Sequence, residues 1–438
     1  MAAQDTAVHE RDARHDERRV AKNIVRGSVG NLIEWYDWYA YTAFSVYFAA
    51  AFFPSGDQTA QLLNTAAVFA VGFLMRPIGG WVLGRYADRR GRRSALSLSV
   101  TLMAAGSLIV ALTPSYDTIG VVAPVLLVTA RLLQGISVGG EYSTSATYMS
   151  EVATPGKRGY YSSFQYVTLI AGQLTALGLQ IILQSVLSDG QMESWGWRIA
   201  FVVGAAGAVV VLWLRRGMDE SESFEQGQAD GDRGSLRMLL SYPRQCLVVV
   251  GLTMGGTLFF YTYTTYLQKF MVNTSGIAKP TAAWINFCAL LVFVVLQPVM
   301  GRLSDRVGRR PLLIGFGVLG ALVVVPSLTL LSHTDNPYYA FVLMVVPLAI
   351  SSLYTSISAV VKAELFPTAI RALGVGLPYA LTVAIFGGTA EYIALWFKDI
   401  GHESWYFYYV TACVLTSLLV YIRMRETSEG SPLDDRKG

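Results

Sequence analysis

Twelve apolar runs, each about as long as a bilayer is thick, partition this chain and leave few folds open to it. They cover residues 24–53, 61–86, 94–113, 120–149, 160–185, 196–216, 245–270, 281–302, 311–331, 337–362, 371–396 and 404–424. In lipid every backbone N–H and C=O must be satisfied within the chain, so runs of this length are read as helices. Only 15% of residues are charged, where a soluble domain carries roughly 25%. The expected fold is all-α and integral to the membrane, with 12 transmembrane helices in two pseudo-symmetric six-helix bundles. The expected organisation is a disordered tail (1–22), a first bundle (23–216), a polar linker (217–244), a second bundle (245–424) and a short tail (425–438).

Basic residues set the orientation, because they concentrate in cytoplasmic loops. With both termini inside, all but six of the 34 Lys and Arg fall on the cytoplasmic side. Lys269, Lys279 and Lys398 fall outside, and Arg76, Arg131 and Arg198 stay within or at the edges of apolar runs. The net charge of +4 is thereby a topology signal and needs no nucleic-acid partner. Cys246, Cys288 and Cys413 lie in apolar runs without metal-ligand spacing. His9, His15, His333 and His402 lie in tails or outer loops. No catalytic residue, metal or cofactor is expected, and no nucleophile–base or phosphate-loop spacing suggests an enzyme.

The decapeptide GRYADRRGRR (84–93) returns as GRLSDRVGRR (301–310), 217 residues later and nearly half the chain away. Glu151 and Arg158 recur as Glu364 and Arg371 with the same internal spacing. Duplicated halves are how many secondary transporters build a site near the bilayer midplane. Both copies are placed in short loops, after the second and eighth runs. There Asp88 and Asp305 can meet a neighbouring helix N-terminus or an arginine. At these residues the chain resembles the major facilitator superfamily. The resemblance implies a cytoplasmic latch that helps hold the outward-facing state, made of Asp88, Arg92, Glu151, Arg158, Asp305, Arg309, Glu364 and Arg371.

An ionisable side chain at membrane depth is costly and marks a pathway or relay by default. In the first run Glu34, Asp37, Trp38 and Tyr41 share one helical face. Arg76 lies at similar depth in the second run, where a pair or triad with Glu34 and Asp37 spares each an unpaired charge. Arg131, Gln134 and Glu141 form a stripe in the fourth run, whose Gly135 and Gly139 have the spacing of close helix packing. Its RxxQG start resembles a motif of proton-coupled members, which implies an arginine tuning a nearby carboxylate. A purely structural ion pair is the competing reading. Arg198 is read as structural, and Glu391 is open between the two roles. Tyr261, Tyr354 and Gln165 are candidates to line a cavity, or simply to pack. Lys269, Lys362 and Glu391 are placed nearer helix ends, leaving the second half as a polar, aromatic wall.

The runs GNLIEWYDWYAY, RPIGG and SVGGEYSTSATYMSE resemble the metabolite:proton symporter branch of that superfamily. This implies a proton symporter importing 2-oxoglutarate or a related dicarboxylate by alternating access. Arg76, Arg131, Gln165, Tyr261 and Tyr354 are the expected substrate contacts, since arginine suits a carboxylate. Glu34, Asp37 and Glu141 are the expected proton carriers. The partners implied are a small organic anion, protons and the lipid of a bacterial inner membrane, with a monomer as the working unit. A same-fold symporter for another organic acid or a zwitterionic osmolyte remains an alternative, with a non-transporting carboxylate sensor as a distant one.

Overall fold

The computed structural model describes residues 32–54, 57–90, 92–139, 156–216, 236–367 and 370–428. Among them there are helices and connections but no strand. The first bundle holds α1 (32–52), α2 (Gln58–Arg90), α3 (Arg92–Leu112), α4 (Val122–Val138), α5 (Arg158–Val186) and α6 (Arg198–Arg216). The second holds α7 (Pro243–Asn273), α8 (Lys279–Val307), α9 (Arg309–Ser332), α10 (Pro337–Glu364), α11 (Arg371–Asp399) and α12 (Ser404–Arg423). Large apolar side chains such as Trp81, Trp213, Val295 and Leu322 stay exposed on the periphery. A soluble protein would hide such a belt, whereas lipid is its proper solvent.

Local chemistry marks the helix ends. Asn336 caps α10 by accepting from the Tyr338 and Tyr339 amides at 2.9 and 3.4 Å. Proline opens α7, α8 and α10 in the first turn, where its missing N–H is no loss. Gly308 separates α8 from α9 at φ +92°, a conformation open to glycine at little cost.

Two glycine seams decide which helices touch. A β-carbon on Gly135 of α4 would lie 2.2 Å from the Gly72 oxygen of α2, and one on Gly139 would lie 2.0 Å from the Arg76 oxygen. The backbones of α2 and α4 therefore meet directly, carrying Arg76 and Arg131 to neighbouring positions. Between the bundles, Gly159 of α5 and Gly301 of α8 approach so closely that either β-carbon would reach 2.6 Å from the other's carbonyl.

The structure corrects the sequence at the repeat and within three helices. The repeated decapeptide is not a loop. Helix α8 continues past the internal Pro298 and through Asp305 to Val307, and ends at Gly308, whose positive φ a helix cannot continue through. Helix α7 carries a π-helical turn at Thr262–Tyr266 and α11 another at Val383–Gly387. Helix α10 breaks at residues 356–357. Hydropathy is blind to such turns, since they change backbone register and not polarity.

Candidate functional site

A chain of hydrogen bonds runs through the middle of the first bundle. Asp37 on α1 is 1% exposed and accepts from Ser107 of α3 and, at 2.6 Å, from Gln134 Nε2 of α4. The same amide lies 3.0 Å from the Ser107 hydroxyl. Gln134 Oε1 in turn accepts from Arg131 Nη1 at 2.7 Å. Glutamine thus links a buried carboxylate to a buried guanidinium without the two touching.

The rest of the Arg131 guanidinium is cushioned by rings. It lies 4.2 Å from the Trp38 ring and 4.4 Å from that of Tyr41. Arg76 lies 4.1 Å from the same Trp38 and 4.0 Å from Phe73. Each such contact contributes up to about 2 kcal/mol when desolvated. It does not satisfy hydrogen bonds, and Nε and Nη2 of both arginines have no partner. Two buried guanidiniums with unspent donors thus lie side by side, and such donors suit the oxygens of a carboxylate.

Tyr261 closes this site from the second bundle. Its ring packs edge-on against Phe73 at 5.2 Å, and its hydroxyl faces Arg76 and Tyr39. Space for it exists because Gly387 sits against it, where a β-carbon would lie 2.8 Å from the ring. Tyr354, by contrast, packs inside the second bundle against Gly256 and Phe316. Gln165 is buried on α5.

At the face rich in arginine, Asp305 joins the halves. Its oxygens accept from the Gly159 and Tyr160 amides at 2.8 and 2.9 Å, capping the N-terminus of α5 across the interface. Arg309 holds Asp305 at 2.8 Å and approaches Glu364 to 3.7 Å. The Val360 amide donates to Ser162 at 3.1 Å, a further bond between halves. Arg371 is buried and donates to the Ala363 and Phe366 carbonyls. Arg158 is buried beside Asp305 and Glu364, in the wall of a cleft of about 600 Å³. At the opposite face Lys279 meets Glu193 at 2.7 Å and Gln268 meets Gln180 at 3.2 Å. The halves touch at both ends, so this is an occluded arrangement.

Several expectations need correction. The cation nearest Asp37 is Arg131, not Arg76, because α4 presents Gln134 and Arg131 to α1 while Arg76 turns to the aromatic face shared with α7. Glu34 is buried on α1. The second half is not free of buried charge. Lys269 is 2% exposed and pairs with Glu391 at 2.5 Å, and Lys362 is fully buried over the Tyr379 ring at 3.8 Å. They do lie towards helix ends, Lys269 four residues from the end of α7 and Lys362 two from the end of α10, but they are buried there. Arg198 donates to the Ser194 and Thr113 carbonyls, tying α6 to α3. Glu141 and Glu151, and the side chains of Asp88 and Arg92, lie outside the described residues. Ser107 and Gln134 were missed as site residues, although Gln134 stood in the stripe with Arg131.

Two six-helix halves, an occluded interface and buried charges at its centre define a membrane carrier. A family model described as sugar (and other) transporter matches residues 24–239 and 216–434. The chain belongs to that family, within the major facilitator superfamily. The alpha-ketoglutarate permease of Escherichia coli (strain K12) is 52% identical over 418 residues, covering 95% of this chain and 96% of that protein. The citrate-proton symporter of Klebsiella pneumoniae is 33% identical, covering 85% and 84%. Among solved structures, a D-xylose-proton symporter matches with a TM-score of 0.72 at 19% identity, over 94% of this chain and 99% of that one.

Proposed function

We propose that this protein imports 2-oxoglutarate or a closely related dicarboxylate together with protons, by alternating access. The observation that carries the reading is the Asp37–Gln134–Arg131 relay beside Arg76. Two buried guanidiniums match two carboxylates, and a zwitterionic osmolyte has only one anionic group to offer them. The 52% identity to an alpha-ketoglutarate permease supports the same substrate.

The relay also suggests how protons couple. While Asp37 is ionised it draws the Gln134 amide, and Gln134 holds Arg131. Protonation of Asp37 cancels its charge and weakens that hold, so Arg131 is freer to engage a substrate carboxylate. Release on the other side reverses the order. Asp37 carries the proton and Gln134 transmits its state, while Trp38, Tyr41 and Phe73 shield the cations from water. Glu34 and Glu141 stand as further proton carriers, and Gln165 and Tyr261 as polar wall. In this reading Tyr354 supports the second bundle rather than touching substrate.

The arginine-rich face is assigned to the cytoplasm with both termini, following the positive-inside rule, and the protein works as a monomer in a bacterial inner membrane. Asp305, Arg309, Arg158, Glu364 and Arg371, with Asp88, Arg92 and Glu151, serve as the cytoplasmic gate. Ligand-induced thermal stabilisation of the purified protein tests the substrate. 2-Oxoglutarate should stabilise most, ahead of citrate and far ahead of proline and betaine. Stabilisation by betaine or proline alone would overturn the assignment.

A further inference from the structure

The relay in the first bundle leaves one buried charge pair unused. Lys269 on α7 and Glu391 on α11 meet at 2.5 Å, and their side chains are 2% and 3% exposed. Each lies just past a π-helical turn, Lys269 after Thr262–Tyr266 and Glu391 after Val383–Gly387. Such turns are rare and are frequent at functional sites. Lys269 is four residues from the end of α7 and Glu391 eight from the end of α11. At 1.5 Å per residue that is about 6 and 12 Å from the face opposite the arginines.

The pair is incompletely satisfied. Lys269 bonds one carboxylate oxygen, and Glu391 Oε2 is buried with no hydrogen-bond partner. A pair kept only for stability would be expected to satisfy both oxygens. Its titratable surroundings are tyrosines: Tyr266 on α7, Tyr406 on α12 and Tyr41 on α1. Glu403 approaches Tyr266 at 3.5 Å, and among the described residues Lys269 is the cation that acts on Glu391. Tyr41 is also the ring under Arg131. The pair therefore sits between the outer face and the two-arginine site, along the wall of the second bundle.

We propose that Glu391 is an internal stand-in for a substrate carboxylate, and that Lys269 is a third anion anchor which protonation of Glu391 releases. This rests on the dicarboxylate symport proposed above. In the empty carrier Lys269 and Glu391 neutralise each other. A proton from the outer water adds to Oε2, the unpartnered oxygen, and the neutral acid lets go of Lys269. On its way to the two arginines a substrate carboxylate takes its place, so the site holds one positive and one negative charge before and after. When substrate leaves inward, Glu391 gives its proton to the inner water and returns to Lys269. One proton is thereby bound per cycle in the second half, separately from the proton on Asp37.

The test uses full-length protein in proteoliposomes, with 2-oxoglutarate uptake and internal pH followed together. Lys269→Gln should raise the half-saturating concentration about tenfold to a hundredfold, the loss of a charge-assisted contact. Glu391→Gln should lower the proton-to-substrate ratio by about one and flatten the pH dependence of binding. Because Lys269→Gln leaves Glu391 buried and unpaired and can fail to fold, the double variant K269Q/E391Q is measured alongside. Having neither charge, it should fold, bind weakly and show the lower ratio. Wild-type affinity and ratio in the double variant would make the pair purely structural and overturn this inference alone. Failure of the wild-type protein to accumulate 2-oxoglutarate would overturn the substrate reading and this inference with it.

Discussion

Asp305 is the most exacting place to perturb the carrier, because it bonds both halves and only some of those bonds break on opening. Its bond to Arg309 lies within the second bundle, so separating the halves does not require breaking it. Its bonds to the Gly159 and Tyr160 amides exist only while the arginine-rich face is closed. Hydrogen bonds to a charged group contribute about 1.5–3 kcal/mol, and a carboxylate at a helix N-terminus about 0.3–1 kcal/mol more. Its side chain is 8% exposed, so screening by water is slight. Asp305→Asn keeps the size, loses the charge and can accept from only one of the two amides. The closed state should lose about 2–4 kcal/mol, an equilibrium shift of roughly 30-fold to 1,000-fold. Spin labels at the exposed positions Lys157 and Arg306 would report it by pulsed EPR as a longer-distance population. An unchanged distance distribution in a variant that melts like wild type would refute the argument.

Other outcomes follow from the same geometry. Asp37→Asn keeps contacts to Ser107 and Gln134 but cannot titrate, so counterflow of labelled 2-oxoglutarate should persist while gradient-driven accumulation is lost. Arg131→Lys cannot stack on Trp38 and Tyr41 while bonding Gln134, so binding should weaken about tenfold in a titration with substrate. Gly139→Val would force α4 away from the Arg76 carbonyl and should lower stability by about 1–3 kcal/mol, read as a fall in melting temperature. Burial acts to raise the Glu426 carboxyl, but the Arg309 and Arg310 amides and Ser428 prevail and hold it below its ordinary range. A depressed folded value means the stabilisation is full above the ordinary carboxylate pKa and disappears as pH falls through the folded one. Thermal melts of wild type and Glu426→Gln should therefore differ at neutral pH and converge in acid.

The spans and the duplication were legible because lipid imposes a length and a polarity on every crossing segment. Arg76, Arg131 and Asp37 stood out for the same reason, as charges inside apolar runs. What hid was everything that depends on direction around a helix axis. The spacing put Asp37 and Trp38 on one face, but not which helix would face them, so Asp37 was matched to Arg76 when Gln134 ties it to Arg131. Lys269 and Glu391 were placed towards helix ends, but that they meet and are buried could not be read from spacing along two separate helices. Asp305 was assigned to a loop, although its role as a cap for a neighbouring helix was anticipated from its charge and place. The π-helical turns left no mark, since hydropathy does not encode hydrogen-bond register.

Coupling between substrate and protons is the centre of this account, and uptake of labelled 2-oxoglutarate into proteoliposomes tests it most directly. With the interior alkaline and no other energy source, the account predicts accumulation above the external concentration, collapse on adding a protonophore, and competition strongest from unlabelled 2-oxoglutarate. Equilibration that stops at equal concentrations whatever the pH gradient would contradict it.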